Sequence, residues 1–265
     1  DAIDRLSQLA GMRVYEPNMI VNISHEMPCF CGHSASKGME AADFGLLVDT
    51  DVPWMPSEVA PSSKTFWAHI DVDPLKHGSP MWDFPASLRF SADSAIALEQ
   101  LADYVESQTT GAFEAKARIR RASILSERQA SRDSLAEKAA IPGRLGAINP
   151  AYLFSQLSIA IKPDDIILHE AVRNQLALVQ HIRRPVAKTL ARVAGGGLGS
   201  SSGMALGVKL ARPEALVIQI TGDGAFYFNS PLSALAVSKK YKLPILTIIL
   251  DNGGWSAVKT STLKL

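Results

Sequence analysis

The chain has 265 residues, of which 47% are hydrophobic and 20% charged, so it can bury one large core or two ordinary ones. Its formal net charge of +1 gives no field strong enough to indicate a nucleic-acid or membrane-surface ligand. No apolar run reaches the roughly 18 residues that a membrane-spanning helix needs. The composition is therefore typical of a globular enzyme domain.

Two apolar runs that end in acidic residues predict an α/β domain over residues 1–105. Residues 42–49, ADFGLLVD, and residues 65–73, TFWAHIDVD, have the length and composition of buried strands. The glycine fingerprint of dinucleotide-binding folds, GxGxxG, does not occur. We therefore expect Asp71 and Asp73 to cap a strand end and not to do chemistry.

The two cysteines, Cys29 and Cys31, lie between His25 and His33. A zinc site is one interpretation, but the C-x-C spacing is tighter than the usual spacing of zinc ligands. The preferred interpretation is two reduced thiols in a cytoplasmic protein, with an organellar location as the alternative.

A charge-rich stretch with helical spacing, residues 113–140, predicts a long surface helix that Pro142 and Gly143 end. This helix is the centre of a predicted linker, residues 106–146. A second α/β domain is predicted over residues 147–265.

The second domain begins with a predicted helix, residues 151–161, which Pro150 opens, and a predicted strand, residues 165–169. The polar residues that follow have two interpretations. Arg173 would contact an anion and Asn174 would line a pocket, or the segment is the solvated start of a helix.

A glycine-rich run, AGGGLG at residues 194–199, precedes a predicted helix of small residues, 204–210. Glycines at this density allow a cofactor ring to lie against bare backbone. A flexible linker is the alternative, which the packed helix that follows disfavours.

The most informative pattern is a predicted βαβ unit with a strand at residues 215–221, a helix at 231–241 and a strand at 244–250. Right-handed crossover makes the two strands parallel, so their carboxyl ends meet at the same edge of the sheet. Asp223 and Asn252 follow those two ends. We therefore expect the two side chains to lie close together.

This pair of turns predicts a magnesium site, because Mg²⁺ takes about six oxygens and commonly one or two carboxylates among them. Asp223 would supply the anion, Asn252 an amide oxygen and Gly254 a backbone carbonyl. Gly222 and Gly224 would let the main chain approach a phosphate. A plain turn in which the aspartate caps a helix is the alternative.

Residues 222–255, GDGAFYFNSPLSALAVSKKYKLPILTIILDNGGW, resemble the GDG-to-NN signature of thiamine-diphosphate-dependent enzymes, most of all the acetolactate synthase and benzoylformate decarboxylase group. The resemblance implies that Asp223, Asn252 and Gly254 bind the Mg²⁺ that anchors the cofactor's diphosphate. It also implies two Rossmann-like α/β domains with parallel sheets flanked by helices, the second having the thiamine-diphosphate-binding fold.

This sequence departs from the signature at two positions. Asp251 replaces the usual first Asn, which is not the ligand, and Ala225 replaces a frequent Ser, which leaves only a backbone amide for the phosphate.

The glycine-rich run resembles the GGLG segment of the same family. The resemblance implies a cofactor-activating role for the Gly196 carbonyl, which would accept a bond from the cofactor's 4'-amino group, and for Leu198, which would hold the cofactor bent. The implied cofactor-binding residues are Val172, Arg173, Asn174, Gly196, Gly197, Leu198, Gly222, Asp223, Gly224, Ala225, Asn252, Gly254 and Trp255.

The implied activity is Mg²⁺-dependent decarboxylation or carboligation of a 2-oxo acid, similar to that of acetolactate synthase. A 2-hydroxyacyl-CoA lyase or oxalyl-CoA decarboxylase activity, a non-catalytic cofactor-binding member and an ordinary nucleotide-binding protein are the alternatives. FAD is not favoured, because residues 50–54 do not resemble the flavin-contacting Gly-Arg-Phe segment.

The chain resembles the middle domain and most of the C-terminal domain of such enzymes. The catalytic glutamate of their N-terminal, pyrimidine-binding domain has no counterpart here. We therefore expect a homodimer or homotetramer with the active site at a subunit interface, and no turnover by this chain alone.

Overall fold

The computed structural model describes residues 2–56, 59, 61–79, 84–192 and 197–263. The chain divides into two compact units. Unit 1 comprises residues 1–17 and 27–131, and unit 2 comprises residues 18–26 and 132–265. In the described residues, no helix combines the length and the apolar character needed to cross a membrane.

Unit 1 is built on a three-stranded parallel sheet in the order β1-β2-β3. Its strands are β1 (Phe44–Val48), β2 (Phe66–Asp71) and β3 (Leu88–Ser91), and its helices include α1 (Ala2–Ala10), α2 (Ser36–Glu40) and α3 (Ser94–Gln108). Alternate residues of a strand point to opposite faces, so each face has its own core. Leu47 and Trp67 pack with Met39 of α2. On the other side, Leu46 and Val48 pack with residues of α1 and α3.

The carboxyl end of β2 is closed by acidic side chains, as the sequence predicts. Asp71 Oδ1 accepts the Asp73 amide at 2.8 Å, and Asp73 Oδ1 accepts the Lys76 amide at 3.1 Å. The Lys76 ammonium contacts both Asp71 Oδ2 and Asp51 Oδ1 at 2.8 Å. Within unit 1, these acids therefore act as strand-end caps.

The ion pair between Asp71 and Lys76 makes unit 1 sensitive to acid. Burial alone would raise the pKa of Asp71, but the hydrogen bonds from the Lys76 ammonium and the Asp73 amide outweigh burial and hold the pKa below its usual value. An acid with a depressed pKa stabilises the fold above its unfolded pKa, about 4, and this stabilisation is lost as the pH falls through the folded pKa. We expect unit 1 to lose stability below about pH 4.

Replacing Lys76 with methionine tests that pair. Because the Asp71 side chain is only 4% exposed, K76M is expected to leave a buried carboxylate without its cation and to cost about 3 kcal/mol of unfolding free energy at pH 7. Urea unfolding at pH 7 and pH 3 measures the cost, and the exposed Lys64→Met is the control. A K76M loss equal to that of K64M, or one that does not shrink at pH 3, would contradict the assignment.

Most of a long helix, α4 (Gly111–Ala139), belongs to unit 1, and the division between the units falls within it after Ser131. It matches the helix predicted over residues 113–140. Two short strands of two residues each, β4 (Gly143–Arg144) and β5 (Ala147–Ile148), follow and form an antiparallel hairpin. The domain bounds derived from the sequence, 1–105, 106–146 and 147–265, remain a prediction.

Unit 2 contains a four-stranded parallel sheet in the order β7-β6-β8-β9. Its strands are β6 (Ile166–Glu170), β7 (Leu190–Arg192), β8 (Val217–Gly222) and β9 (Leu246–Leu250). Its remaining helices are α5 (Pro150–Ala160), α6 (Gln175–His181), α7 (Ser201–Ala211), α8 (Asp223–Phe228), α9 (Pro231–Tyr241) and α10 (Ser256–Thr262).

Helices cover the central strands of this sheet on both faces. Ile167 and Ile218 are fully buried against a cluster that includes Phe154 of α5 and Leu178 of α6. Leu168 points the other way and packs with Ala205 of α7. The predicted α/β fold class, with parallel sheets flanked by helices, is therefore confirmed in each unit.

Candidate functional site

The two glycine turns lie at the same edge of the unit 2 sheet. Gly222, the last residue of β8, pairs with Leu250, the last residue of β9. Beyond those ends, the Gly254 amide donates a hydrogen bond of 3.0 Å to Asp223 Oδ2. The predicted convergence of the two turns is confirmed.

The donors around Asp223 suit a small, hard cation. The Asp223 side chain is half-buried, and no residue in the described ranges donates a hydrogen bond to its Oδ1 atom. Asn252, two residues before Gly254, is exposed. Among the described residues, the Gly254 carbonyl accepts the Ser256 amide alone, at 2.9 Å, and its oxygen keeps a second lone pair. A carboxylate, an amide oxygen and a carbonyl form a donor set that fits Mg²⁺. The three ligand assignments remain predictions.

Trp255 packs against the helix that follows β8. Its ring meets that of Phe228 edge-on, with centroids 5.2 Å apart, and a Cβ on Gly224 would come within 3.2 Å of it. A larger residue at Gly224 would therefore displace this ring. Half of Trp255 is still exposed, and its role in a binding pocket remains a prediction. Ala225, the next residue after Gly224, is buried.

The segment between residues 222 and 230 corrects one expectation. The sequence predicts a turn between β8 and α9, but residues Asp223–Phe228 form a helical turn and a half, α8. Its end is closed by Asn229, whose amide donates to the Ala225 carbonyl at 3.1 Å. An aspartate in the first turn of a helix is favourable, because its charge complements the positive end of the helix dipole.

The glycine-rich run is described from Gly197 onwards, so the predicted role of Gly196 lies outside the described residues. Leu198 is 41% exposed, as a residue that contacts a bound ring must be. Gly199 has φ +100°, and a Cβ there would lie 2.3 Å from the Phe228 carbonyl oxygen. Only glycine therefore fits at residue 199. The assignments of Gly197 and Leu198 remain predictions.

Glu170, the last residue of β6, is buried beneath this segment, with a relative exposure of 6%. Its Oε1 atom accepts the Gly199 amide at 2.6 Å. Its Oε2 atom accepts the Ser201 hydroxyl at 2.7 Å, the Ser201 amide at 3.4 Å and the Asn229 amide group at 2.9 Å. The carboxylate thus joins β6, the glycine segment and the start of α7.

A buried polar network continues from Glu170 across the sheet. Asn229 Oδ1 accepts the Ser202 amide at 2.7 Å. Gln219 Nε2 donates to the Ser201 and Ser202 hydroxyls, both at 2.8 Å, and Gln219 Oε1 accepts the Thr247 hydroxyl at 3.1 Å. The sequence patterns do not predict roles for Glu170, Asn229 or Gln219. A polar Gln219 inside the apolar strand was the available signal.

The third predicted segment is only partly near the two turns. Arg173 donates to the Ser256 carbonyl at 3.1 Å and to the Thr260 hydroxyl, so its guanidinium lies against α10. Val172 is exposed, and Asn174 is the residue before α6, without a side-chain capping bond. Their predicted contacts with a cofactor remain predictions.

Gly199→Ala tests how tightly the glycine segment is held. The new methyl group meets a backbone carbonyl at a positive φ, so we expect a loss of about 1–3 kcal/mol in unfolding free energy. Gly207 is exposed within α7 and has open space around it, so Gly207→Ala is expected to raise stability by about 0.5–1 kcal/mol. Urea unfolding of both variants measures the contrast. Equal effects would contradict the described backbone at residue 199.

The comparisons with known proteins agree with this geometry. A family model described as the C-terminal TPP-binding domain of thiamine pyrophosphate enzymes matches residues 171–264. Benzoylformate decarboxylase of Pseudomonas aeruginosa is 31% identical over 114 residues, which are 43% of this chain and 21% of the relative. Acetolactate synthase isozyme 2 large subunit of Escherichia coli is 31% identical over 107 residues, which are 40% of this chain and 19% of the relative.

Among solved structures, a thiamine diphosphate-dependent 4-hydroxybenzoylformate decarboxylase of Rhodococcus jostii RHA1 superposes with a TM-score of 0.72 at 21% identity. The superposition covers 99% of this chain and 47% of that one. At this identity the likeness establishes the fold. Residues 171–264 of this chain therefore match the C-terminal TPP-binding domain of thiamine pyrophosphate enzymes. The chain spans about half the length of the solved relative, and the matched segments span about a fifth of the curated relatives.

Proposed function

We propose that this chain binds the diphosphate and Mg²⁺ of thiamine diphosphate in an acetolactate-synthase-like decarboxylase or carboligase of 2-oxo acids. The contact that carries the proposal is the hydrogen bond from the Gly254 amide to Asp223 Oδ2. It brings the only carboxylate of the predicted donor set beside the Asn252 turn, which is the arrangement that a diphosphate-bound Mg²⁺ needs.

Each turn has a distinct task in this proposal. Asp223, Asn252 and the Gly254 carbonyl would hold the metal, while Gly222 and the Ala225 amide would face the diphosphate. Gly197 and Leu198 would lie against the ring portion, Leu198 holding the cofactor bent. When bound, the cofactor supplies an electron-accepting ring for the cleavage of the bond to the substrate's carboxylate carbon. These residues of the chain bind and orient, and none of them transfers a proton.

The proposed substrate class is supported by two relatives that are named as decarboxylases of benzoylformate-type 2-oxo acids. The pyrimidine half of the site would come from a further domain, so we propose a homodimer or homotetramer as the active assembly. We propose a cytoplasmic location and no FAD, as the sequence predicts.

Binding of the cofactor by this chain tests the proposal. Equilibrium dialysis against thiamine diphosphate, with Mg²⁺ and with EDTA, is expected to show retention only with the metal. Thiamine monophosphate should bind at least about tenfold more weakly, because it offers the metal no diphosphate. Mass spectrometry of the small molecules released from an assembly purified with Mg²⁺ should identify thiamine diphosphate.

Other outcomes separate the alternatives. Equal retention of ADP would indicate an ordinary nucleotide-binding protein. Retention of thiamine diphosphate by an assembly that releases no CO₂ from pyruvate or benzoylformate would indicate a non-catalytic member.

A further inference from the structure

We propose that Glu170 is a positioning residue. It would hold the Gly197–Leu198 segment in the position in which that segment contacts the cofactor's ring. This inference rests on the proposed function and adds a role for a side chain that lies beneath the binding surface. It follows from the burial of the carboxylate and from the kind of groups that surround it.

The sheet fixes the position of the Glu170 carboxylate. Glu170 ends the central strand β6, and its neighbour in the register is Thr221 of β8, two residues before Asp223. Since β6 is held on both sides by other strands, the Glu170 backbone is a fixed reference point. The glycine segment, in contrast, has few side chains with which to anchor itself.

The groups around the Glu170 carboxylate are hydrogen-bond donors and require an acceptor. In the described part of the chain, the carboxylate accepts four hydrogen bonds, from the amides of Gly199 and Ser201, the Ser201 hydroxyl and the Asn229 side-chain amide. Backbone amides cannot reverse their role, so a neutral side chain of the same shape cannot satisfy the site. Glutamine would direct an NH₂ group at a donor and leave that donor without an acceptor.

The Asp223 turn is held independently of Glu170. Asn229 also donates from its side chain to the Ala225 carbonyl at 2.8 Å, and its backbone amide does the same at 3.1 Å. These bonds close the end of helix α8 on itself, and the Gly254 amide holds its first residue through Asp223 Oδ2 at 3.0 Å, so neither contact involves Glu170. Loss of the carboxylate should loosen residues 197–201 and leave the Asp223 turn in place.

Glu170→Gln in the 265-residue chain tests this separation with two measurements. Hydrogen exchange should show at least about tenfold less protection at the Gly199 and Ser201 amides, with protection unchanged at Ile167 and Ile218 in the sheet core. Affinity for thiamine diphosphate with Mg²⁺ should fall about tenfold, while affinity for inorganic pyrophosphate with Mg²⁺ stays the same. Glu214→Gln, an exposed carboxylate before β8, is the control.

A conservative variant covers the case in which E170Q does not fold. Glu170→Asp keeps the negative charge on a shorter side chain, and it should retain protection at Ser201 while losing part of it at Gly199. If its exchange and its affinity for thiamine diphosphate equal those of the wild type, the positioning role is wrong. An equal loss of thiamine diphosphate and pyrophosphate affinity in E170Q would also overturn it, because the effect would then be on the whole fold.

The two measurements also separate this inference from the proposed function. If the wild-type chain binds no thiamine diphosphate, the proposed function fails, and hydrogen exchange alone decides whether Glu170 holds the segment. If the wild type binds the cofactor and E170Q matches it in exchange and affinity, only the role of Glu170 fails.

Discussion

Replacing Arg184 with methionine is expected to lower the unfolding free energy of unit 2 by about 3–5 kcal/mol. The side chain is 1% exposed and lies in the loop between α6 and β7. Its guanidinium donates to the carbonyls of Lys162 at 2.9 Å and Pro163 at 2.7 Å, to the Asp165 carbonyl, and to the Thr189 hydroxyl at 3.0 Å. Methionine fills a similar volume but leaves these four acceptors without their donor, which costs about 1–3 kcal/mol for each acceptor that stays buried.

Chemical unfolding of R184M beside Arg183→Met measures this effect, since Arg183 is the exposed neighbour in the same loop. Arg184→Lys should recover only part of the stability, because an ammonium cannot reproduce the planar fork of donors. Surface substitutions scatter by up to about 1 kcal/mol. If R184M and R183M differ by less than that in unfolding free energy, the hydrogen bonds of the Arg184 guanidinium contribute little to stability.

Replacing Asp223 with alanine is expected to abolish Mg²⁺-dependent retention of thiamine diphosphate, with a fall in affinity of about 100-fold or more. The variant removes the carboxylate of the predicted donor set, and it also frees the Gly254 amide that positions the second turn. Calorimetry with Mg²⁺ and thiamine diphosphate measures the loss. Glu214→Gln, which removes a carboxylate at the opposite end of the same strand, serves as the control.

Asp223→Asn distinguishes the two effects of that change. Asparagine still accepts the Gly254 amide and so preserves the turn, but it lacks the negative charge. We expect D223N to unfold at the same denaturant concentration as the wild type and to lose metal-dependent binding nearly as fully as D223A. Wild-type binding by D223N would show that Asp223 shapes the turn and does not bind the metal.

The strands, the helix α9 and the meeting of the two turns could be predicted from the sequence for a definite reason. A strand-helix-strand unit has one favoured handedness, so local patterns fix which ends come together. Pro231 marks the start of α9, and the predicted bounds, 231–241, are those observed. The Asp223 and Gly254 contact is therefore a consequence of local periodicity and chirality.

The roles of Glu170 and Arg184 could not be predicted, because their partners are set by tertiary packing. Glu170 contacts residues 29, 31 and 59 positions away in sequence. Arg184 lies in a polar stretch, HIRRPVAK, that is typical of an exposed loop, and only the fold turns its side chain inward. The hydrogen bond from Arg173 to the Ser256 carbonyl of α10 depends on tertiary packing in the same way, and the sequence does not predict it.

The strand order β7-β6-β8-β9 determines which loops of unit 2 can change without altering the sheet. The connection after β6 runs through α6 on one face of the sheet, and the connection that enters β8 runs through α7 on the opposite face. Chain winding therefore reverses between β6 and β8, which opens a crevice at the carboxyl ends of those strands. Glu170 and the Asp223 turn stand at the two sides of that topological switch point. The loops at these strand ends take no part in the strand pairing, so their length and composition can change while the sheet stays the same.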